Sequence, residues 1–153
     1  MHKPRPFRYG ALLRVRKIEE DQEAQKLAAL QRARQLSEQR LASIRDIQRR
    51  MFEEAAQEQR SRFRASEIDR YYQYEQHMAR QALEADADVE ALRREEAAQR
   101  EALKHALRQR RIVGKLKERR DEQWRAYRAH HDQRLSDETA VNQAAQDRVR
   151  RTS

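Results

Sequence analysis

The stretch Ile68–Val113, IDRYYQYEQHMARQALEADADVEALRREEAAQREALKHALRQRRIV, decides how this chain folds. It contains no glycine and no proline, and neither residue occurs in the wider span 11–113. Because these two residues provide most tight turns, their absence predicts long continuous helix. Within the stretch, apolar or small residues recur at alternating steps of three and four, which is the spacing of a coiled-coil seam.

This seam pattern occurs twice, once in each half of the chain. The first register consists of Leu27, Leu30, Arg34, Ser37, Leu41, Ile44, Gln48, Met51 and Ala55. The second consists of Ile68, Tyr71, Glu75, Met78, Ala82, Ala85, Val89, Leu92, Glu96, Gln99, Leu103, Ala106, Arg110, Val113, Lys117, Arg120, Trp124 and Tyr127. Polar residues interrupt both registers, so the packing is expected to be imperfect. The pattern predicts an all-α fold in which two long helices form an antiparallel coiled-coil hairpin, with the second helix longer and overhanging.

The segment 61–66 is the best candidate for the turn between the two registers. Ser66 followed by Asp69 resembles a capping box, in which a side-chain oxygen accepts hydrogen bonds from the first N–H groups of a helix. The acidic residues Asp86 and Asp88 mark a weaker alternative break, because short acidic side chains suit the start of a helix.

A turn near residue 64 aligns the apolar positions of the two halves. Position i would face roughly position 128 − i, so that Leu12 and Val15 would face Leu116 and Val113. The sequence thus predicts one coiled-coil domain over 1–153 with short disordered termini, divided into helix 1 (about 9–60), a turn (about 61–66) and helix 2 (about 67–148).

The composition supports helix and excludes several classes of protein. Charged residues make up 40% of the chain and hydrophobic residues 37%, with only nine aromatic side chains, which is too few for a broad globular core. High charge is also typical of disorder, but mixed charge signs and helical spacing favour a coiled coil. There is no cysteine, no apolar run long enough to span a membrane and no apolar signal segment. These features predict a cytosolic protein.

The positive charge is concentrated in two short segments. Residues 1–17 contain six basic residues and no acid, and residues 104–120 contain eight basic residues and one acid. The net charge of the whole chain is +9, so the remaining residues are acidic on balance. The predicted hairpin brings both basic segments together at its open end. Such an end suits either nucleic acid or an acidic protein surface, although no aromatic residues are interleaved with the basic runs.

The sequence contains no pattern that indicates catalysis. None of the five histidines has a second ligand at the spacing of a metal motif, and the chain lacks a phosphate-binding glycine loop and a catalytic cysteine. Paired acids such as Glu95 and Glu96 are expected to be solvated charges on a helix face. We therefore expect no enzyme activity, no catalytic residue, no metal and no cofactor.

Two groups of aromatic residues stand out. Tyr71, Tyr72 and Tyr74 suit a helix start that packs one ring on helix 1, and they equally suit a partner-binding patch. Trp124 and Tyr127 lie where helix 2 is expected to have no partner within the chain. Exposed aromatic side chains at that place would indicate an interface.

Several segments, in this order, resemble the FliJ family, the stalk protein of bacterial flagellar type III export. The opening FRYGALLRVRK (7–17), the segment SEIDRY (66–71), the segment VGKLKERR (113–120) and the downstream DETA (137–140) are similar to the family's motifs. Length, charge and the two-helix plan agree along nearly the whole chain. Gly114 departs from the acidic or polar residue of the family and predicts a locally weaker helix.

The resemblance implies a stalk like that of the γ subunit of rotary ATPases. It implies that the open end enters the hexameric flagellar export ATPase, that the side near the turn meets the cytoplasmic domain of the export-gate membrane protein, and that export chaperones are further partners. Candidate ATPase-binding residues are Arg14, Arg16, Lys17, Arg111, Lys115, Lys117, Arg119, Arg120, Trp124 and Tyr127. Candidate gate-binding residues are Ile44, Ile47, Met51, Tyr74 and Met78. The expected location is cytoplasmic, at the inner face of the cell membrane, and no nucleic acid is expected.

Two alternatives remain open at this point. The first is the equivalent stalk of a virulence type III secretion system, which has the same fold. The second is a coiled-coil factor that associates with nucleic acid or the ribosome, for which the basic end is the only support.

Overall fold

The residues that the structure describes form two α-helices. The computed structural model describes residues 8–58 and 64–152 of the chain. Helix α1 is Arg8–Glu58, with 51 residues, and helix α2 is Ala65–Thr152, with 88 residues. No strand occurs in the described residues. The predicted all-α class and the longer second helix are confirmed, whereas residues 61–63 of the predicted turn lie outside the described part of the chain.

The helices form two compact units, and in each unit they pair antiparallel. The turn unit contains residues 21–58 and 64–105, and the terminal unit contains residues 8–20 and 106–152. In the turn unit, Arg40 contacts Asp88, which is its expected partner at position 128 − i, with 3.8 Å between nitrogen and oxygen. In the terminal unit, the ring of Tyr9 lies under the Arg120 guanidinium and Glu20 accepts a hydrogen bond from Arg110. That the whole chain is one domain stays a prediction.

The core of the turn unit is a narrow row of side chains along the seam. Its buried members are Leu41, Ile44, Met51, Met78, Ala85 and Val89, all of them predicted seam positions. Tyr71 and Ala82 pack against this row, and Tyr71 donates a hydrogen bond of 2.9 Å to the Met51 carbonyl. The burial raises the pKa of the Tyr71 hydroxyl. On α2 the residues of the predicted register are buried or half-buried from Met78 to Tyr127. Before Met78, the register residues Ile68 and Glu75 are exposed.

In the terminal unit the seam residues of α1 lie next to the apolar residues Leu12 and Val15. These two are 38% and 49% exposed, so they border the seam and do not fill it. The seam positions Tyr9, Leu13, Arg16 and Glu20 are half-buried. They continue the alternating spacing backward from Leu27, but through polar residues at 16, 20 and 23 that hide it. Leu13 lies opposite Gly114, and a Cβ atom at position 114 would be 4.0 Å from the Leu13 Cδ1 atom.

Helix α2 begins without the predicted capping box. The Arg64 carbonyl accepts hydrogen bonds from the N–H groups of Glu67 (3.0 Å) and Ile68 (3.3 Å), so Ser66 already lies inside the first turn. The acidic Glu67 in this turn suits the positive end of the helix dipole. The alternative break is also wrong, because α2 continues through Asp86 and Asp88, whose exposed carboxylates face Arg45 and Arg40. The helix continues through Gly114 as well.

One charged residue is buried in the described part of the chain. Glu96 occupies a seam position and is 4% exposed. It accepts hydrogen bonds from Arg34 of α1 at 2.5 Å and from Arg100 at 2.8 Å. Arg34 also donates to Glu38 at 3.1 Å, and Arg93 of α2 donates to the same carboxylate at 3.3 Å. The hydrogen bond from Arg34 is the main cause that lowers the pKa of Glu38.

We expect the substitution Glu96→Leu alone to lower the melting temperature, because Arg34 would keep its place beside the seam without its carboxylate partner. The double substitution Arg34→Leu/Glu96→Leu should return the melting temperature to the wild-type value or above, because two apolar side chains then fill the seam. Thermal unfolding followed by circular dichroism measures both. A single substitution as stable as the double one would show that Arg34 without its carboxylate partner costs no stability, and would contradict this prediction.

Candidate functional site

The terminal unit brings the two basic sequence segments side by side. The start of α1 packs antiparallel on α2, and the Arg120 guanidinium carbon lies 5.8 Å from the centre of the Tyr9 ring. A cation over an aromatic face is held by the ring quadrupole. The pairing of Glu20 with Arg110 supports the same alignment. This surface therefore carries basic residues from both helices, as the sequence predicts.

The eight candidate basic residues differ in exposure. Five are exposed and extend away from the seam: Arg14, Lys17, Arg111, Lys115 and Arg119. Three are half-buried and have contacts within the chain: Arg16, Lys117 and Arg120. Of these three, Arg16 pairs with Glu19 at 3.0 Å and Lys117 approaches Asp121 at 3.9 Å, while Arg120 stacks on Tyr9. The exposed five are the groups that a partner would meet first.

Trp124 and Tyr127 are less exposed than the sequence analysis expects. Both are half-buried. Their rings stack with centroids 5.9 Å apart, and Tyr127 stacks in turn on His131 at 6.2 Å. These rings are about one helical turn apart along α2, so each stacked pair shields part of the ring surface from solvent. Beyond Tyr127, every described residue of α2 is exposed.

The five candidate residues near the turn fall into two groups. Ile44, Met51 and Met78 are buried in the seam, at 6%, 8% and 5% exposure. Ile47 and Tyr74 are exposed, at 37% and 49%. The first three therefore hold the helices together, and only the last two present side chains to a partner.

The three tyrosines near the start of α2 differ in burial. Tyr71 packs in the core, whereas Tyr72 and Tyr74 lie on the surface, so one ring packs as predicted. Two further apolar residues, Phe52 and Leu83, are each 72% exposed and were not predicted as site residues from the sequence. Their signal was present in the sequence, since both lie outside the heptad register of their helix.

The described residues include no group of three or more His, Asp or Glu side chains suited to a metal ion. A groove of about 560 Å³ in the turn unit is open to solvent and is lined by charges of both signs, including Arg45, Asp46 and Asp86. Neither helix has a described segment that is long and apolar enough to cross a membrane.

Comparison with known proteins gives one result. The family model described as "FliJ: Flagellar FliJ protein" matches residues 6–148, which is nearly the whole chain. No curated protein and no solved structure matches the chain.

The division of the candidate residues near the turn leads to a prediction for stability. Met78→Ala should lower the free energy of unfolding by about 2 kcal/mol or more, because it removes a buried side chain from a narrow core. Tyr74→Ala should change it by no more than about 0.5 kcal/mol, because the ring is half exposed at the surface. Urea unfolding followed by circular dichroism compares the two. An equal loss for Tyr74→Ala would place this ring in the core and remove it from the candidate surface.

Proposed function

Because this chain belongs to the FliJ family and is thus a component of the flagellar protein export apparatus, we propose that it is the stalk that binds and stimulates the hexameric export ATPase and links it to the export gate. The match over residues 6–148 is the observation that carries this proposal. The paired basic segments of the terminal unit support the ATPase contact, and the exposed Ile47 and Tyr74 of the turn unit support the gate contact.

We place ATP hydrolysis entirely in the ATPase, so that any effect of this chain acts through contact. A stiff helical pair that enters a ring would touch the ring subunits unequally. Contacts that differ between two conformations of a subunit shift its equilibrium between them. The stalk would thereby shift the conformational equilibrium of each ring subunit during the hydrolysis cycle, without supplying a catalytic group.

Charge would mainly orient the stalk in the ring. Exposed ion pairs contribute only about 0–1 kcal/mol each, but a basic surface steers association with an acidic one. The exposed residues Arg14, Lys17, Arg111, Lys115 and Arg119 would provide this steering, and the stacked Trp124 and Tyr127 would provide apolar anchoring. Since salt screens exposed charges over about 8–10 Å at physiological ionic strength, the contact would weaken as salt rises.

The gate contact would use the exposed residues of the turn unit. Ile47 and Tyr74 would bind the cytoplasmic domain of the gate protein directly, and Ile44, Met51 and Met78 would hold the helices that present them. Export chaperones would bind the same surface, either in competition with the gate protein or after it. In this assembly the protein would lie in the cytoplasm, peripheral to the inner face of the membrane.

The triple substitution Arg111→Glu, Lys115→Glu and Arg119→Glu should abolish stimulation of the export ATPase at physiological salt. It reverses three exposed charges and leaves the half-buried Lys117 and Arg120 in place, so the helices should stay paired. The measurement is the rate of phosphate release by the ATPase with and without each variant, with circular dichroism as the test of folding.

The matched control is Arg70→Glu, Arg80→Glu and Arg94→Glu, which reverses three exposed charges of the turn unit. It changes the net charge by the same amount and should leave stimulation intact. If the first variant stimulated as well as wild type at low salt, the basic surface would only keep the protein soluble. Loss of RNA binding, with no effect on the ATPase, would favour the nucleic-acid alternative.

The pair Ile47→Ser/Tyr74→Ala should weaken binding to the gate domain by about tenfold, because it truncates two exposed apolar contacts. Isothermal titration calorimetry with the purified cytoplasmic domain provides the measurement. Leu36→Ser/Leu83→Ala is the control, since both leucines are also exposed in the turn unit but were not assigned to the gate. Equal weakening by both pairs would mean that exposed apolar area in general, and not the assigned pair, determines binding.

A further inference from the structure

We propose that one side of the terminal unit, formed by Leu12, Val15, Ile112 and Leu116, is a docking groove for an acidic amphipathic helix. None of these four residues is among those assigned above to the ATPase contact. All four are aliphatic and between 38% and 53% exposed. Their position relative to the seam shows that they form one surface.

Each of the four residues comes directly before a seam residue. Leu12 precedes Leu13 and Val15 precedes Arg16 on α1, while Ile112 precedes Val113 and Leu116 precedes Lys117 on α2. At 100° per residue, positions that precede the seam project to the same side of both helices in an antiparallel pair. The four side chains therefore border one groove. The opposite side, which follows the seam, instead carries Gly10, Arg14, Lys17, Arg111, Gly114 and Glu118.

The exposures agree with this arrangement. Leu12 and Leu116 flank the seam directly and face each other by the 128 − i rule, and they are 38% and 39% exposed. Val15 and Ile112 lie one step further out on their helices, and they are 49% and 53% exposed. The two residues nearest the seam are thus the less exposed pair of the four, as expected for side chains that border the line where two helices meet.

The charges around the groove select an acidic occupant. Arg8 and Arg119 lie on the same side, since each also precedes a seam residue, and both are exposed. In addition, the Nε atoms of Arg16 and Arg120 are buried without a hydrogen-bond partner in the described structure. Arg16 leans toward this side, because it pairs with Glu19, which precedes the seam residue Glu20. Carboxylates of a docked helix would accept hydrogen bonds from the exposed guanidinium groups of Arg8 and Arg119.

A helix fits this surface better than a lipid bilayer or a nucleic acid. Each helix contributes two apolar residues to the groove, three or four positions apart. A single docked helix with apolar residues at i and i+3 or i+4 would fit this length. A bilayer would favour a wider apolar face with aromatic side chains at its edge. A single-stranded nucleic acid would favour aromatic stacking platforms, and this groove has none.

The groove lies at the same end of the chain as the proposed ATPase contact. The inference rests on the proposed function only for the identity of the partner, since the ATPase would then be the natural donor of the helix. The chemistry of the groove is independent of that function and is tested with synthetic probes.

The test uses the full chain and three labelled helical peptides of equal length. The first has a leucine face and a glutamate face, the second replaces glutamate by lysine, and the third replaces leucine by glutamine. Fluorescence anisotropy should show that the leucine–glutamate peptide binds at least about tenfold more tightly than either of the others. Equal binding of the lysine peptide, or of the glutamine peptide, would overturn the proposal. Binding to anionic vesicles without binding to the first peptide would assign the surface to lipid and would equally overturn it.

Two variants locate the binding. Ile112→Ser/Leu116→Ser should weaken binding of the leucine–glutamate peptide by about tenfold, because it removes half of the apolar row. Leu135→Ser/Val141→Ser, at exposed aliphatic positions of the same unit, should bind the peptide as wild type does. A wild-type affinity in the first variant, with circular dichroism unchanged, would overturn the proposal.

A separate measurement distinguishes failure of the groove from failure of the proposed function. Binding and stimulation of the export ATPase are measured for wild type alone, and their absence would contradict the proposed function without affecting the peptide result. Conversely, a stimulated ATPase together with a failed peptide test would remove the groove and leave the stalk function standing.

Discussion

Everything in this structure depends on a seam only one or two side chains wide. Two helices in contact share a single row of interlocking residues, so the chain has no second layer that could compensate for a poor contact. The buried row in the turn unit, from Leu41 and Ile44 to Val89, is accordingly short and aliphatic. Because so few residues are used for packing, most of the surface is available for recognition. A protein built in this way would act by presenting side chains along a scaffold.

The polar residues of the seam lower the stability of the helix pair but fix the alignment of its two helices. An apolar pair at Arg34 and Glu96 would bury more apolar surface, yet helices with uniform apolar seams slide between alignments more easily. The Glu96 carboxylate accepts from α1 and from its own helix, and this geometry exists in one alignment only. Gln99 adds a second such contact, donating to the Glu23 carbonyl at 3.0 Å. In a stalk, whose two ends would meet different partners, a fixed alignment keeps the surfaces on both helices in register.

The buried residues could be predicted from the sequence where the spacing of seam residues is regular, and not where it is irregular. On α2 the alternating steps continue without a break, so the buried side from Met78 to Tyr127 could be predicted residue by residue. At the start of α1 the same spacing passes through Arg16, Glu20 and Glu23, and the neighbouring Leu12 and Val15 are more attractive by hydrophobicity alone. The residues near the turn could be named but not sorted, because Ile44 and Ile47 are chemically alike and only the phase of the helix separates them. The start of α2 was placed too late, since a backbone carbonyl at Arg64 needs no side-chain signal.

The long exposed end of α2 has a thermodynamic consequence of its own. From residue 128 to Thr152 no side chain is buried, so this segment of about seven turns gains nothing from tertiary packing. Most helical stability in proteins comes from tertiary packing, so the hydrogen bonds of this segment should open and close locally without global unfolding. Its amide protons should therefore exchange with solvent far sooner than those beside Val89. Any partner that covers the segment would have to supply the ordering free energy, which would make its affinity sensitive to the helix propensity of residues that it never touches.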